Sequence, residues 1–137
     1  AQITAKAGNA GAVEAVVKAM QRHIEHLDLQ RTACLTLVHM IGDNADNRVK
    51  AGNTGAVEAA VMAMRRHAGS VGLQHAAIGM LGRMTTKNAD NRTKAGNAGA
   101  IEAVVAAMQV HTEHKELQRA ACWTLSSMIA DNAANRT

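Results

Sequence analysis

One run of this chain is written three times. NRVKAGNTGAVEAAVMAM, from Asn47 to Met64, returns 44 residues later as NRTKAGNAGAIEAVVAAM, from Asn91 to Met108. It also appears 44 residues earlier, without its opening Asn-Arg, as AKAGNAGAVEAVVKAM from Ala5 to Met20. A long repeat of fixed period constrains the fold more than any local motif. Each copy is too small to bury its own apolar face, so copies stack and share one elongated core. Across the 137 residues the copies fall at about 1–44, 45–88 and 89–132, with the start of a fourth at 133–137, as a single array.

Within each period the signals divide into three helical pieces. The first is short, Asn44 to Ala51 in the middle copy, with Asn44 or Asp46 as the N-cap and Gly52-Asn53 as the left-handed residues that end it. The second runs from Gly55 to His67, with Glu58 in its first turn and Arg65, Arg66 and His67 in its last, as the helix dipole prefers. Val57, Val61 and Met64 keep one face of it buried. A short polar link follows: IEHLD, then Ala68-Gly69-Ser70, then TEHKE. The third helix runs from Leu29 to Ile41, Leu73 to Thr85 and Leu117 to Ile129. Leu29, Ala33, Leu37 and Met40 form the stripe of a core-facing helix. Their counterparts are Leu73, Ala77, Leu81, Met84 and Leu117, Ala121, Leu125, Met128, which mark the surface each copy offers its neighbour. Gly79 and Gly82 lie inside the middle third helix, and each Gly costs up to ~1 kcal/mol relative to Ala, so this helix is expected to be the weakest of the three.

The residue supply fits this picture. Phe, Tyr and Pro are absent and Trp occurs once, so the core is built from small and aliphatic side chains that let helices approach closely. No apolar run approaches the ~18 residues of a membrane span, and no signal peptide or lipidation motif is visible, so no membrane insertion is expected. Cys34 and Cys122 stand two periods apart at the same position. With layers ~8–10 Å apart they are too distant for a disulfide, which needs Cα atoms within ~7 Å. Both read as buried thiols, which points to an intracellular, reducing compartment such as cytoplasm or nucleus.

The period, helix content and motif together resemble armadillo-repeat proteins of the vacuolar-protein and ciliary-armadillo type. The resemblance rests on NRxKAGNxGAxEAVVxAM, then a His, a short link, and LQRxACxxLxxMI, and it spans the whole chain. It implies an all-α, armadillo-type α-solenoid, a right-handed superhelix of three-helix repeats whose third helices line a concave groove. In many members that groove binds an extended peptide or a partner's surface. If the third helix buries the stripe named above, a second stripe at every fourth residue faces the groove. It comprises Arg31, Leu35, His39 and Asp43, then His75, Gly79, Arg83 and Lys87, then Arg119, Trp123, Ser127 and Asp131. These positions vary from copy to copy while the core does not. Importin-like members carry a Trp followed four residues later by an Asn at these places. Here only Trp123 matches, and Ser127 stands where Asn would, so a nuclear-localisation-signal receptor is disfavoured. A groove holding Arg31, His75, Arg83 and Arg119 also repels a basic signal. For Trp123 two readings stand level: an interface anchor, or a ring that leans over Gly79 and closes the core.

Other motifs reduce to structure. His23/His26 and His111/His114 lack the third ligand a zinc site needs and read as helix-terminal residues interacting with end carbonyls. The AGNxG turn lacks the Gly-Lys-Ser/Thr ending of a phosphate loop. Glu14, Glu58 and Glu102 match the dipole, and Arg48, Arg92 and Arg136 tie each short helix to its neighbour. No nucleophile, base and orienting group assemble, so the expectation is no enzyme activity, no cofactor and no metal. The net charge of +4 reads first as a solvated surface and second as a field that favours an acidic partner; stacking aromatics and a dense basic stripe are missing, which disfavours nucleic acid. The expected function is a protein-interaction module, binding a protein or extended peptide through Arg31, Leu35, His39, His75, Gly79, Arg83, Arg119, Trp123 and Ser127. The alternative is a structural segment of a longer array. The chain enters partway through a copy, lacks an initiating Met and carries no polar terminal copy, which predicts end-to-end self-association or assembly into a larger complex.

Overall fold

The computed structural model describes residues 2–130, and among these every regular element is a helix. The first trio is α1 (Gln2–Asn9), α2 (Ala12–Arg22) and α3 (Leu27–Ile41). The second is α4 (Ala45–Asn53), α5 (Ala56–Arg66) and α6 (Val71–Thr85), and the third α7 (Ala89–Ala98), α8 (Ala100–Val110) and α9 (Lys115–Ile129). In each trio the second and third helices pack against each other, α3 lies against α6, and α6 lies against α9. The chain is an all-α solenoid.

The helix starts follow from local chemistry. Asn44 and Asn88 cap α4 and α7, each side-chain oxygen accepting from the backbone N–H three residues on. The third helices begin earlier than the apolar stripe implies, because His26, Ser70 and His114 are N-caps that accept from the N–H of Leu29, Leu73 and Leu117. His26 and His114 thus serve amides at a helix start, not the carbonyls expected of them. Gly11, Gly55 and Gly99 hold φ of 86°, 90° and 83° at the starts of α2, α5 and α8, a region that costs glycine little.

Those glycines correct the turn reading. Gly52 and Asn53 are helical residues of α4, and the left-handed position falls at Gly55. Gly52 is required for a different reason: a Cβ there would collide with the carboxamide of Asn91 in the next trio, as one at Gly8 would with Asn47. The buried Asn47 Nδ2 donates to Met40 O (2.9 Å) and Thr4 O (3.2 Å), and Asn91 Nδ2 donates to Met84 O (2.8 Å) and Arg48 O (3.2 Å). The recurring Gly and Asn therefore make one inter-trio joint. Asn135 and Arg136 lie outside the described residues. Arg48 and Arg92 tie the short helices to the preceding carbonyls, Gly42 O at 2.7 Å and Thr85 O at 2.8 Å.

The core is continuous through the trios. Ala33, Leu37, Met40, Leu73, Ala77, Leu81, Met84, Leu117, Ala121 and Met128 are buried as the stripe requires. Leu29 and Leu125 are only half-buried, since each faces a side of the stack on which no further trio lies among the described residues. Cys34 is buried, and loss of hydration pushes its thiol up to about 12. Cys122, expected to be buried, is exposed for the same reason as Leu125. A recurrent polar feature joins the second and third helices. Gln30, Gln74 and Gln118 each donate from Nε2 to two carbonyls at the end of α2, α5 and α8, at 2.8–3.1 Å. Those bonds fill acceptors that a helix end leaves open.

Candidate interaction face

The side-by-side packing of α3, α6 and α9 sets one solvent-facing stripe from each helix next to the others. Arg31, Leu35 and His39 are exposed on α3, His75 and Arg83 on α6, and Arg119 and Trp123 on α9, while Gly79 and Ser127 are half-buried among them. The exposed Asp43 and Lys87 follow α3 and α6 at the same end, and Asp131 lies outside the described residues. Two of these residues are large apolar groups in water, Leu35 at 41% and Trp123 at 49% exposure. Arg31, Arg83, Lys87 and Arg119 supply four cations, and among the described residues none of them is paired with an acid; the one ion pair there joins Arg66 to Glu25, in the second trio and the first.

Trp123 is held, not loose. Its ring lies against Gly82, where any Cβ would overlap it, and the Arg83 guanidinium sits 5.9 Å from the ring centroid. A cation over the indole face is attracted by the ring quadrupole, by ~0.5–1 kcal/mol at such an exposed position. The expected seat over Gly79 is not the one used: a Cβ at Gly79 meets nothing within 4 Å. Trp123 instead meets the residue three places beyond its own counterpart. Hydroxyls fix the same seam, with Thr124 Oγ1 donating to Ile78 O (2.9 Å) and Ser127 Oγ bonded to Thr85 Oγ1 (2.9 Å).

Two clefts open at the C-terminal ends of the third helices. One, of about 470 Å³, is lined by Val38, His39, Gly42, Asp43 and Asn44 of the first trio's end and by Arg83 across the seam. The other, of about 320 Å³, is lined by Thr86, Lys87, Arg92, Trp123, Ser126 and Ser127. Arg83 and Trp123 thus stand between the two. Thr86, Arg92 and Ser126 were not visible as lining residues in the sequence, because two of them belong to the link and to the next short helix, not to the third-helix stripe.

Elsewhere the histidines are structural. His67 Nε2 is 2.8 Å from Ile24 O and His111 Nε2 is 2.9 Å from Ala68 O, joining the α2–α3, α5–α6 and α8–α9 links. Among the described residues no three His, Cys, Asp or Glu side chains converge as metal ligands, and no helix is long and apolar enough to cross a membrane.

The Armadillo/beta-catenin-like repeat family model matches residues 88–130, which span the α7 cap through α9. That segment is similar to an armadillo repeat, a unit commonly found in protein-interaction modules. No curated protein and no solved structure matches the chain.

Proposed function

We propose that the chain is a non-catalytic protein-interaction module. In this reading 1–137 is a single array of three armadillo repeats, at about 1–44, 45–88 and 89–132, with a fourth begun at 133–137. The partner is an extended, acidic and apolar peptide, or a partner surface presenting one, that lies across α3, α6 and α9 in a groove. The observation that carries the reading is a contrast on those three helices: the Leu, Ala, Leu and Met of the core stripe repeat, whereas Leu35/Gly79/Trp123 and His39/Arg83/Ser127 differ in every layer and His75 stands in the middle layer where Arg31 and Arg119 stand in the others.

The layer spacing of ~8–10 Å equals about three residues of extended chain at ~3.3 Å each. Acids about three residues apart in the partner would meet Arg31, Arg83 and Arg119 in turn. Exposed ion pairs are worth ~0–1 kcal/mol each, so the charges steer, and Trp123 with its neighbouring cleft anchors an apolar side chain. Affinity is accordingly modest and falls as salt rises. The free thiols fit a reducing, intracellular setting.

The test is a titration of acidic-apolar peptides read by the fluorescence of Trp123, the chain's single tryptophan. A labelled peptide then reports anisotropy with Trp123→Ala and Arg83→Glu. The proposal expects saturable, salt-weakened binding that is weaker in both variants. Binding unchanged in both variants removes the partner from this face.

A further inference from the structure

The two end faces of this chain are the two halves of a seam the chain already makes twice. On the α8/α9 side, Val105 is 38% exposed and Ile129 42%, whereas their counterparts Val61 and Thr85 in the second trio are 1% and 0%. Ile101, Met108 and Leu125 are half-buried there and Cys122 is exposed, where Val57, Met64, Leu81 and Ile78 are buried. On the α2/α3 side, Ala15 is exposed and Ala12, Val16 and Leu29 are half-buried, whereas Ala59, Ala56, Ala60 and Leu73 are buried by the trio before them. A shallow cleft of about 380 Å³ lined by Val16, Ala19, Leu29, Thr32 and Thr36 marks this second face.

We propose that the α8/α9 face docks the α2/α3 face of a second copy of this chain, head to tail, in the geometry by which the second trio sits on the first. The occupant is named by the internal seams themselves, because their polar contacts have partners waiting at both ends. The Glu25–Arg66 pair becomes Glu113 of one copy with Arg22 of the next. The bond of His67 to Ile24 O becomes His23 with Thr112 O. Lys50 donating to Gly8 O becomes Lys6 with Gly96 O, and Thr124 donating to Ile78 O becomes Thr36 with Cys122 O. One joint is not reproduced, since Ile3 stands where Asn47 and Asn91 stand. The contact is heterologous: each copy uses a different face, and the series continues open-ended unless the rotation closes it into a ring. This inference is independent of the groove reading, because no partner is involved.

The experiment is sedimentation of the full chain over a range of concentrations, with single-face variants. Ala15→Glu blocks the α2/α3 face and Val105→Glu the α8/α9 face, with circular dichroism confirming helix content. Ile129→Glu replaces Val105→Glu if the latter fails to fold. The parent is expected to grow beyond a dimer as concentration rises. Each variant alone is expected to stay at one chain mass, its association weakened more than about 100-fold by a carboxylate buried without a partner. An equimolar mixture of the two forms a 1:1 dimer and nothing larger, because one intact face remains on each. A parent that stays monomeric throughout overturns the proposal. So does a single-face variant that still dimerises with itself, or a mixture that forms no dimer.

Discussion

Leu81 and Arg83 lie two residues apart on α6 and serve different ends. Leu81 points into the seam and is fully buried, with Leu37 and Leu125 at its place in the other layers. Arg83 points into solvent, and its counterparts are His39 and Ser127. Packing explains the difference. The Leu and Met stripe of a seam must accept the same neighbour each time, so those positions repeat, whereas Cys34/Ile78/Cys122 and Ile41/Thr85/Ile129 beside it change with the layer. The solvent face is less constrained, although Trp123 still seats on Gly82 and Ser127 still bonds Thr85 across the seam. That contrast makes one face structural and the other the candidate for interaction.

The comparison breaks first at the seam. Leu81→Ala is expected to cost roughly 2–5 kcal/mol in urea unfolding, the range for a buried Leu, and Leu125→Ala clearly less, because Leu125 is already half exposed. Equal losses would show that the layers do not stack as described. Next comes the Gly–Asn joint. Gly52→Ala is expected to destabilise the parent, but much less in an Asn91→Ala background, since the carboxamide it strikes is then gone. The double-mutant cycle should give a coupling of ~0.5–3 kcal/mol, as for residues in direct contact. A coupling near zero would separate the two residues.

Hydrogen exchange sharpens the comparison among layers. Gly79 and Gly82 make α6 the weakest third helix on propensity alone, yet α6 is the one covered on both sides and Gly82 is where Trp123 seats. We expect the slowest exchange in α6; exchange faster in α6 than in α3 and α9 would mean that propensity wins over burial. The cysteines give the smallest and simplest readout. Cys122 is expected to react with a thiol reagent in the native state, and Cys34 only on unfolding. Because the folded pKa of Cys34 is raised to about 12, the unfolded chain loses this proton first. Stability therefore falls as pH rises above the ordinary thiol range, near ~8.5. A Cys34→Ala variant should flatten that part of the pH profile.

How much of this was legible depended on the range of the contact. The third-helix phase could be read from i, i+4 spacing, so the repeated stripe is buried apart from the half-buried Leu29 and Leu125, and the varying stripe is exposed apart from the half-buried Gly79 and Ser127. Contacts across a seam were not legible. The glycine of AGNxG looks like a turn residue until its partner, Asn91, is seen 39 positions away against Gly52. The seat of the Trp123 ring on Gly82, not Gly79, leaves no trace in a one-dimensional period. Exposure of Cys122 depends on which layer it occupies, and identical motifs carry no such information. A signal did exist for Gln30, Gln74 and Gln118: a polar residue kept at one helical position in all three copies, beside an invariant Leu, marks a buried hydrogen bond.

The most direct test of the account sets Arg83→Glu beside Arg66→Glu. Both reverse the charge of an exposed arginine on the second trio, but only Arg83 stands beside Trp123. The measurement is the affinity of a labelled acidic-apolar peptide for each, at low salt, with thermal unfolding as a check. The account predicts that Arg83→Glu weakens binding by about tenfold, or ~1.4 kcal/mol, while its unfolding changes by no more than ~0.5 kcal/mol, and that Arg66→Glu binds like the parent. Equal affinities in the two variants, or a loss confined to Arg66→Glu, would contradict it.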